Sequence, residues 1–142
     1  MILVDTNLLL YAHARGAAEH DRASRWFVQQ LKSGGRVGLP WHSLLGFARV
    51  ASNPRAFTGA ISVAEAWRQI RQWLSIDTVW IPLPTPRHAE VLDELFTTTG
   101  ITTRAVMDIH LAALAMEHGL TLCSADIGFA RYGNLRWFNP LA

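Results

Sequence analysis

The chain opens with the apolar run "ILV", stops at Asp5, and resumes an apolar run at Leu8. A short apolar run closed by a polar residue reads as a buried strand, so "ILVD" is predicted as one. The spacing then lengthens. In "AEHDRASRWFVQQLKS" Ala23, Trp26, Phe27 and Leu31 recur at helical intervals, predicting an amphipathic helix with those four side chains inward. "RVGLP" predicts a short strand and "WHSLLGFARVAS" a helix. "SVAEAWRQIRQWL" begins with Ser62 three residues before Glu65, a capping-box spacing, and gathers Ala66, Trp67, Ile70, Trp73 and Leu74 on one face. "TVWIPL" predicts a strand, "PRHAEVLDELFTT" a helix with Pro86 near its start, and "AVMDIHLAALAMEHG" a long helix closed by Gly119. "LTLCS" and "LRWFN" complete the strands.

Strands alternating with helices imply an α/β fold: one mostly parallel central sheet flanked by helices on both faces. "KSGGR", "SNPRAF" and "PLPTPRH" fall between periodic segments and no linker interrupts them, so residues 1–142 form a single domain. In such folds functional groups gather beyond the carboxyl ends of the strands. Asp5 ends the first strand. Asp126 follows "LTLCS", and Asp108 lies in the first turn of the helix that feeds that strand, so three carboxylates reach one edge. Like charges held together raise one another's pKa, and a hard divalent cation such as Mg²⁺ or Mn²⁺, bound through oxygen, relieves them. Thr6, Asn7 and Ser124 add neutral oxygens beside Asp5 and Asp126. Each acid also has an ordinary structural use, capping a helix or making a turn.

Composition narrows the chemistry further. Of 142 residues 50% are hydrophobic and 17% charged, which suits one compact domain. Cys123 is the one cysteine, so no internal disulfide is possible; it is expected in the core of "LTLCS". No apolar stretch approaches the roughly 20 residues of a membrane span, and no signal segment precedes the first strand, so a cytoplasmic protein is expected. The net charge is +2, carried almost wholly by arginine, which permits nucleic acid as a partner without requiring it. There is no GxGxxG, Walker or GxSxG motif, and no HExxH among six histidines; His110 and His118, two turns apart, could share a face. An aspartyl phosphatase needs a second acid two residues beyond Asp5, where Asn7 stands. Arg49, Arg55, Arg68, Arg71 and Arg104 are candidates for phosphate contacts. Trp26, Trp67, Trp73 and Trp80 are expected buried, whereas Trp41 and Trp137 are left between packing and base stacking.

"ILVDTNLLLYA", "VGLPWHSLLGFARVASNPRAF" and above all "VMDIHLAALAMEHGLTLCSADIGFARYGNLRWFNP" resemble the PIN-domain ribonucleases, and among them the VapC toxins of bacterial toxin–antitoxin pairs. The resemblance implies a three-layer α/β/α PIN fold, Mg²⁺- or Mn²⁺-dependent cleavage of structured RNA (tRNA or rRNA) that inhibits translation and growth, a homodimer, and a cognate VapB-like antitoxin. By position, Asp5, Asp108 and Asp126 match the family's catalytic, metal-holding aspartates, and Thr6 and Ser124 match hydroxyls that support the metal shell. Two positions depart. The family's glutamate in the helix after the second strand falls at Gly46, and a further acid two residues past Asp126 falls at Gly128. A four-acid site able to hold two metals is thereby reduced to three acids, with one metal held firmly. Gly46 has a second explanation in close helix packing. The alternative function is a catalytically weakened PIN-fold module that binds RNA or protein.

Overall fold

The computed structural model describes residues 1–142. Strands β1 (Ile2–Val4), β2 (Val37–Gly38), β3 (Val79–Trp80), β4 (Thr121–Cys123) and β5 (Trp137–Phe138) form one sheet in the order β3-β2-β1-β4-β5, with every pair parallel. Helices α1 (Thr6–His13), α2 (His20–Lys32), α3 (Trp41–Ala51), α4 (Val63–Leu74), α5 (His88–Phe96) and α6 (Val106–Glu117) cover it as a three-layer α/β/α sandwich. No helix is long and apolar enough to cross a membrane.

Successive strand side chains point to opposite faces, and here both faces are covered, so the strands read as unbroken apolar runs. Leu3 and Leu122 pack with α5 and α6 around Val91, Leu95, Ile109 and Leu114. Val4 and Cys123, their neighbours in sequence, pack on the other face with Leu8 and Leu9 of α1, Phe27 of α2, Phe47 of α3 and Ile70 and Trp73 of α4. Cys123 is buried as expected.

The second apolar run is helix α1, an element its unbroken leucines do not disclose. The capping box of α4 is present in full, with Glu65 N donating to Ser62 Oγ at 3.0 Å and Ser62 N to Glu65 Oε1 at 3.3 Å. Gly119 closes α6 with φ +65°. The strands are shorter than their apolar runs, and α2 begins at His20. Trp67 is the one large departure. It was expected inward, but it is 45% exposed and stacks on Trp41 with centroids 6.5 Å apart. The apolar arc of α4 is wider than its contact with the core: Ala66, Ile70 and Trp73 fill the interface, and Trp67 turns past its edge.

Candidate active site

From β1 the chain moves to β2 and β3 on one side, then returns to β4 and β5 on the other. The carboxyl ends of β1 and β4 therefore flank the point where strand order reverses, the place where open α/β sheets bind ligands. Asp5 N donates to Cys123 O at 3.0 Å and ties these two ends together.

Asp5 caps α1. Its Oδ1 accepts from Thr6 N at 2.7 Å, and its Oδ2 accepts from Ser124 Oγ at 2.7 Å and Asn7 Nδ2 at 3.3 Å. Ser124 Oγ also accepts from Asn7 Nδ2 at 3.1 Å and Asp126 N at 3.0 Å, so its hydrogen and both lone pairs are engaged. Ser124 is therefore an organiser of Asp5 rather than an open ligand. Asn7 Oδ1 accepts from Ala125 N at 3.1 Å, and Trp137 Nε1 donates to Ser124 O at 3.1 Å, fastening the loop after β4 from both sides. Asp126 caps the 3₁₀ turn Ile127–Arg131 by accepting from Gly128 N at 2.8 Å. Two of the three acids thus perform the capping role open to any aspartate. Asp108, in the first turn of α6, caps nothing and makes no hydrogen bond. The hydroxyl of Thr6 faces α3, donating to Ser43 O at 3.1 Å, so that residue supports Asp5 through its backbone N–H alone.

Burial pushes the Asp5 carboxyl above the usual aspartate range against the pull of Ser124 and Thr6. The Asp108 carboxyl is pushed up to about 6, first by burial and then by the charges of Asp5 and Asp126, with Arg131 opposing. Asp108 and Asp126 line one cleft of about 350 Å³ that also holds Thr102, Arg104 and Arg131. A larger hollow of about 610 Å³, between His13–Ala17 and Phe57–Gly59, contains no carboxylate. No three acidic, histidine or cysteine side chains are gathered closely enough to enclose an ion. The donors nonetheless suit a hard divalent cation in kind. They are carboxylate oxygens whose mutual repulsion is strongest at Asp108, and Asp108, Asp126 and Asp5 are the residues that would hold it.

The PIN domain family matches residues 2–135. Ribonuclease VapC33 of Mycobacterium tuberculosis is 37% identical over 145 residues, covering 99% of each chain. The chain belongs to the PIN-domain VapC ribonuclease family. VapBC-1 from nontypeable Haemophilus influenzae superposes on it with a TM-score of 0.70 at 19% identity, covering 100% of both chains. Mycobacterium tuberculosis VapC20, a sarcin-ricin loop cleaving toxin, does so with 0.69 at 21%, covering 96% of this chain and 99% of its own. At these identities the shared property is the PIN fold.

Within this PIN domain the two glycines have steric accounts. A Cβ at Gly46 would lie 2.6 Å from Thr6 Oγ1, so a side chain there requires Thr6 to move. A Cβ at Gly128 would lie 3.0 Å from Asp126 Oδ1, inside the turn that Asp126 caps. His110 and His118 have separate partners. His118 pairs with Leu83 O at 2.7 Å, away from His110. His110 Nδ1 meets His88 Nε2 at 3.1 Å, and His88 Nδ1 in turn meets Glu117 Oε2. Thr85 N and Oγ1 donate to Glu117 Oε1 at 2.8 and 2.7 Å. Sequence spacing pointed to none of this, because His88 and Glu117 are brought together only by the packing of α5 on α6.

Proposed function

We propose that this chain is a divalent-metal-dependent endoribonuclease, the toxin of a toxin–antitoxin pair, which hydrolyses phosphodiester bonds in structured RNA (tRNA or rRNA) and so inhibits translation and growth. The observation that carries this reading is Asp108. It is a carboxyl without hydrogen bonds, raised to about 6 by burial and by two other aspartates at the reversal point of the sheet. A divalent cation bound among the three acids would relieve the repulsion that raises it. Mg²⁺, or Mn²⁺ in its place, supplies when bound an activated water and relief of the charge that builds on the phosphate and the departing oxygen. The chain's part is placement. Ser124 and Asn7 hold Asp5, the turn at Gly128 holds Asp126, and α6 presents Asp108.

Two partners follow from the same reading. The groove between α2 and α4, about 260 Å³ and walled by Phe27, Val28, Leu31, Trp73 and Ile76, suits an apolar helix of a VapB-like antitoxin. The exposed Trp41, Leu45 and Trp67 suit a second copy of the chain in a homodimer.

The test is incubation of the purified chain with total RNA at varied Mg²⁺ and Mn²⁺, followed by sequencing of new 5′ ends. Cleavage at defined sites, stopped by EDTA and by Asp126→Asn, is the expected result. The absence of three pre-gathered ligands and the glycines at 46 and 128 favour a second reading, a binding module with weakened catalysis. RNA binding without cleavage at any metal concentration would establish that one instead.

A further inference from the structure

The cleft beside α6 is lined by two carboxylates, Asp108 and Asp126, and two guanidiniums, Arg104 and Arg131, yet no arginine in the chain forms an ion pair. The two arginines differ. Arg131 is committed: its Nε donates to Gly128 O at 3.1 Å and its Nη1 to Gly100 O at 3.3 Å, strapping the turn after Asp126 to the loop ahead of α6. Its charge is also the one that acts on Asp108. Arg104 lies in the 3₁₀ turn Thr103–Ala105, immediately ahead of α6, and lines the same cleft as Asp108. An arginine there could fold onto the carboxylate. It does not. Arg104 makes no hydrogen bond and does not figure among the charges felt by Asp108.

We propose that Arg104 is the phosphate-binding arm of this cleft, gripping an RNA phosphodiester while the aspartates remain free for the cation. The inference rests on the ribonuclease reading and extends it to a residue. A planar guanidinium with unused N–H groups binds a phosphate through two parallel hydrogen bonds. Lining one cleft with guanidinium and carboxylates that do not pair keeps both charges available, the arrangement a polyanion bound beside a metal requires. It also selects one of five candidate arginines, because Arg49, Arg55, Arg68 and Arg71 do not line the cleft. Thr102, on the same lining, offers a hydroxyl beside it.

The experiment measures binding of a labelled RNA hairpin, of a sequence cut by the unmodified chain, to an Asp5→Asn background by fluorescence anisotropy across a range of KCl. Adding Arg104→Ala is expected to weaken binding about tenfold and to flatten the log–log salt dependence by about one phosphate contact. Arg104→Lys is expected to keep the salt slope and recover only part of the affinity. Arg68→Ala, remote from the cleft, is expected to change neither. In the otherwise unmodified enzyme Arg104→Ala is expected to raise KM with an unchanged melting temperature. Equal affinity and slope with and without Arg104 would overturn the proposal, as would transfer of both effects to Arg131→Ala. An unmodified chain that neither binds nor cuts any RNA would instead remove the ribonuclease reading, and this proposal with it.

Discussion

Replacing Gly46 by alanine tests whether that position is governed by helix packing or by a vacated acid. The added Cβ would meet Thr6 Oγ1 at 2.6 Å, and Thr6 is held in place by its hydrogen bond to Ser43 O at 3.1 Å. Thr6 must rotate or the helices must part. Rotation costs the hydrogen bond, about 1 kcal/mol, and residual overpacking adds about 1–3 kcal/mol. Alanine returns about 1 kcal/mol in helix propensity. Gly46→Ala is therefore expected to destabilise the protein by a net of about 1–3 kcal/mol. Thr6→Ala removes both Oγ1 and the Cγ2 at 3.4 Å, leaving the Thr6 Cβ at an ordinary 3.5 Å. In that background Gly46→Ala is expected to stabilise by up to about 1 kcal/mol. The sign reverses, giving a coupling of about 1–4 kcal/mol between the two sites. Urea denaturation of the four proteins measures it. Equal effects of Gly46→Ala in both backgrounds would refute the packing account. The same geometry restricts the metal experiment: Gly46→Glu is expected to lower the Mg²⁺ needed for half-maximal cleavage only when combined with Thr6→Ala.

Other outcomes follow from the acids and their supports. Asp5→Asn, Asp108→Asn and Asp126→Asn are each expected to abolish Mg²⁺-dependent cleavage while leaving the circular dichroism spectrum unchanged, since an amide lacks the charge a hard cation needs. Asp108→Asn is also expected to stabilise the metal-free protein at neutral pH. A carboxyl with its folded pKa raised from 3.8 to about 6 adds stability below 3.8, loses it as pH rises to about 6, and is a burden above that. Screening at this half-buried group reduces the gain to about 1 kcal/mol, read as a higher melting temperature in EDTA. Glu117 has the opposite sign. Burial pushes its carboxyl up, but His88 and Thr85 together outweigh it and hold it below the usual range. Its contribution is present above the ordinary value of 4.5 and is lost as pH falls through the depressed one, so Glu117→Gln is expected to weaken folding at pH 7 and flatten acid unfolding. Ser124→Ala removes the hydroxyl donor to Asp5 and strands the Asp126 N–H, and is expected to cost about 1–3 kcal/mol and to raise the Mg²⁺ requirement for cleavage.

Short apolar runs alternating with helical periods were enough to imply a parallel sheet between helices, because both signals come from which side chains avoid water and need no knowledge of partners. Asp5 and Asp126 could be placed at one edge for the same reason: Asp5 follows β1 at once, Asp126 lies in the short loop just past β4, and parallel strands all end on the same side. The period of α1 was hidden, since a helix whose apolar residues are consecutive leaves no alternation to read. What depends on distance between segments far apart in sequence came only from the tertiary structure. Asp5 and Ser124 are 119 residues apart and hydrogen-bonded. Thr6 and Gly46 touch because α1 and α3 cross, which gives a position that reads as a missing acid an explanation in packing. Trp67 sits on an apolar stripe, but burial depends on the width of the face that α4 meets, and that width belongs to the packed molecule. His88, His110 and Glu117 form a chain, and Arg104 stays unpaired where Arg131 is tied, because side-chain partners are chosen after the backbone has brought segments together.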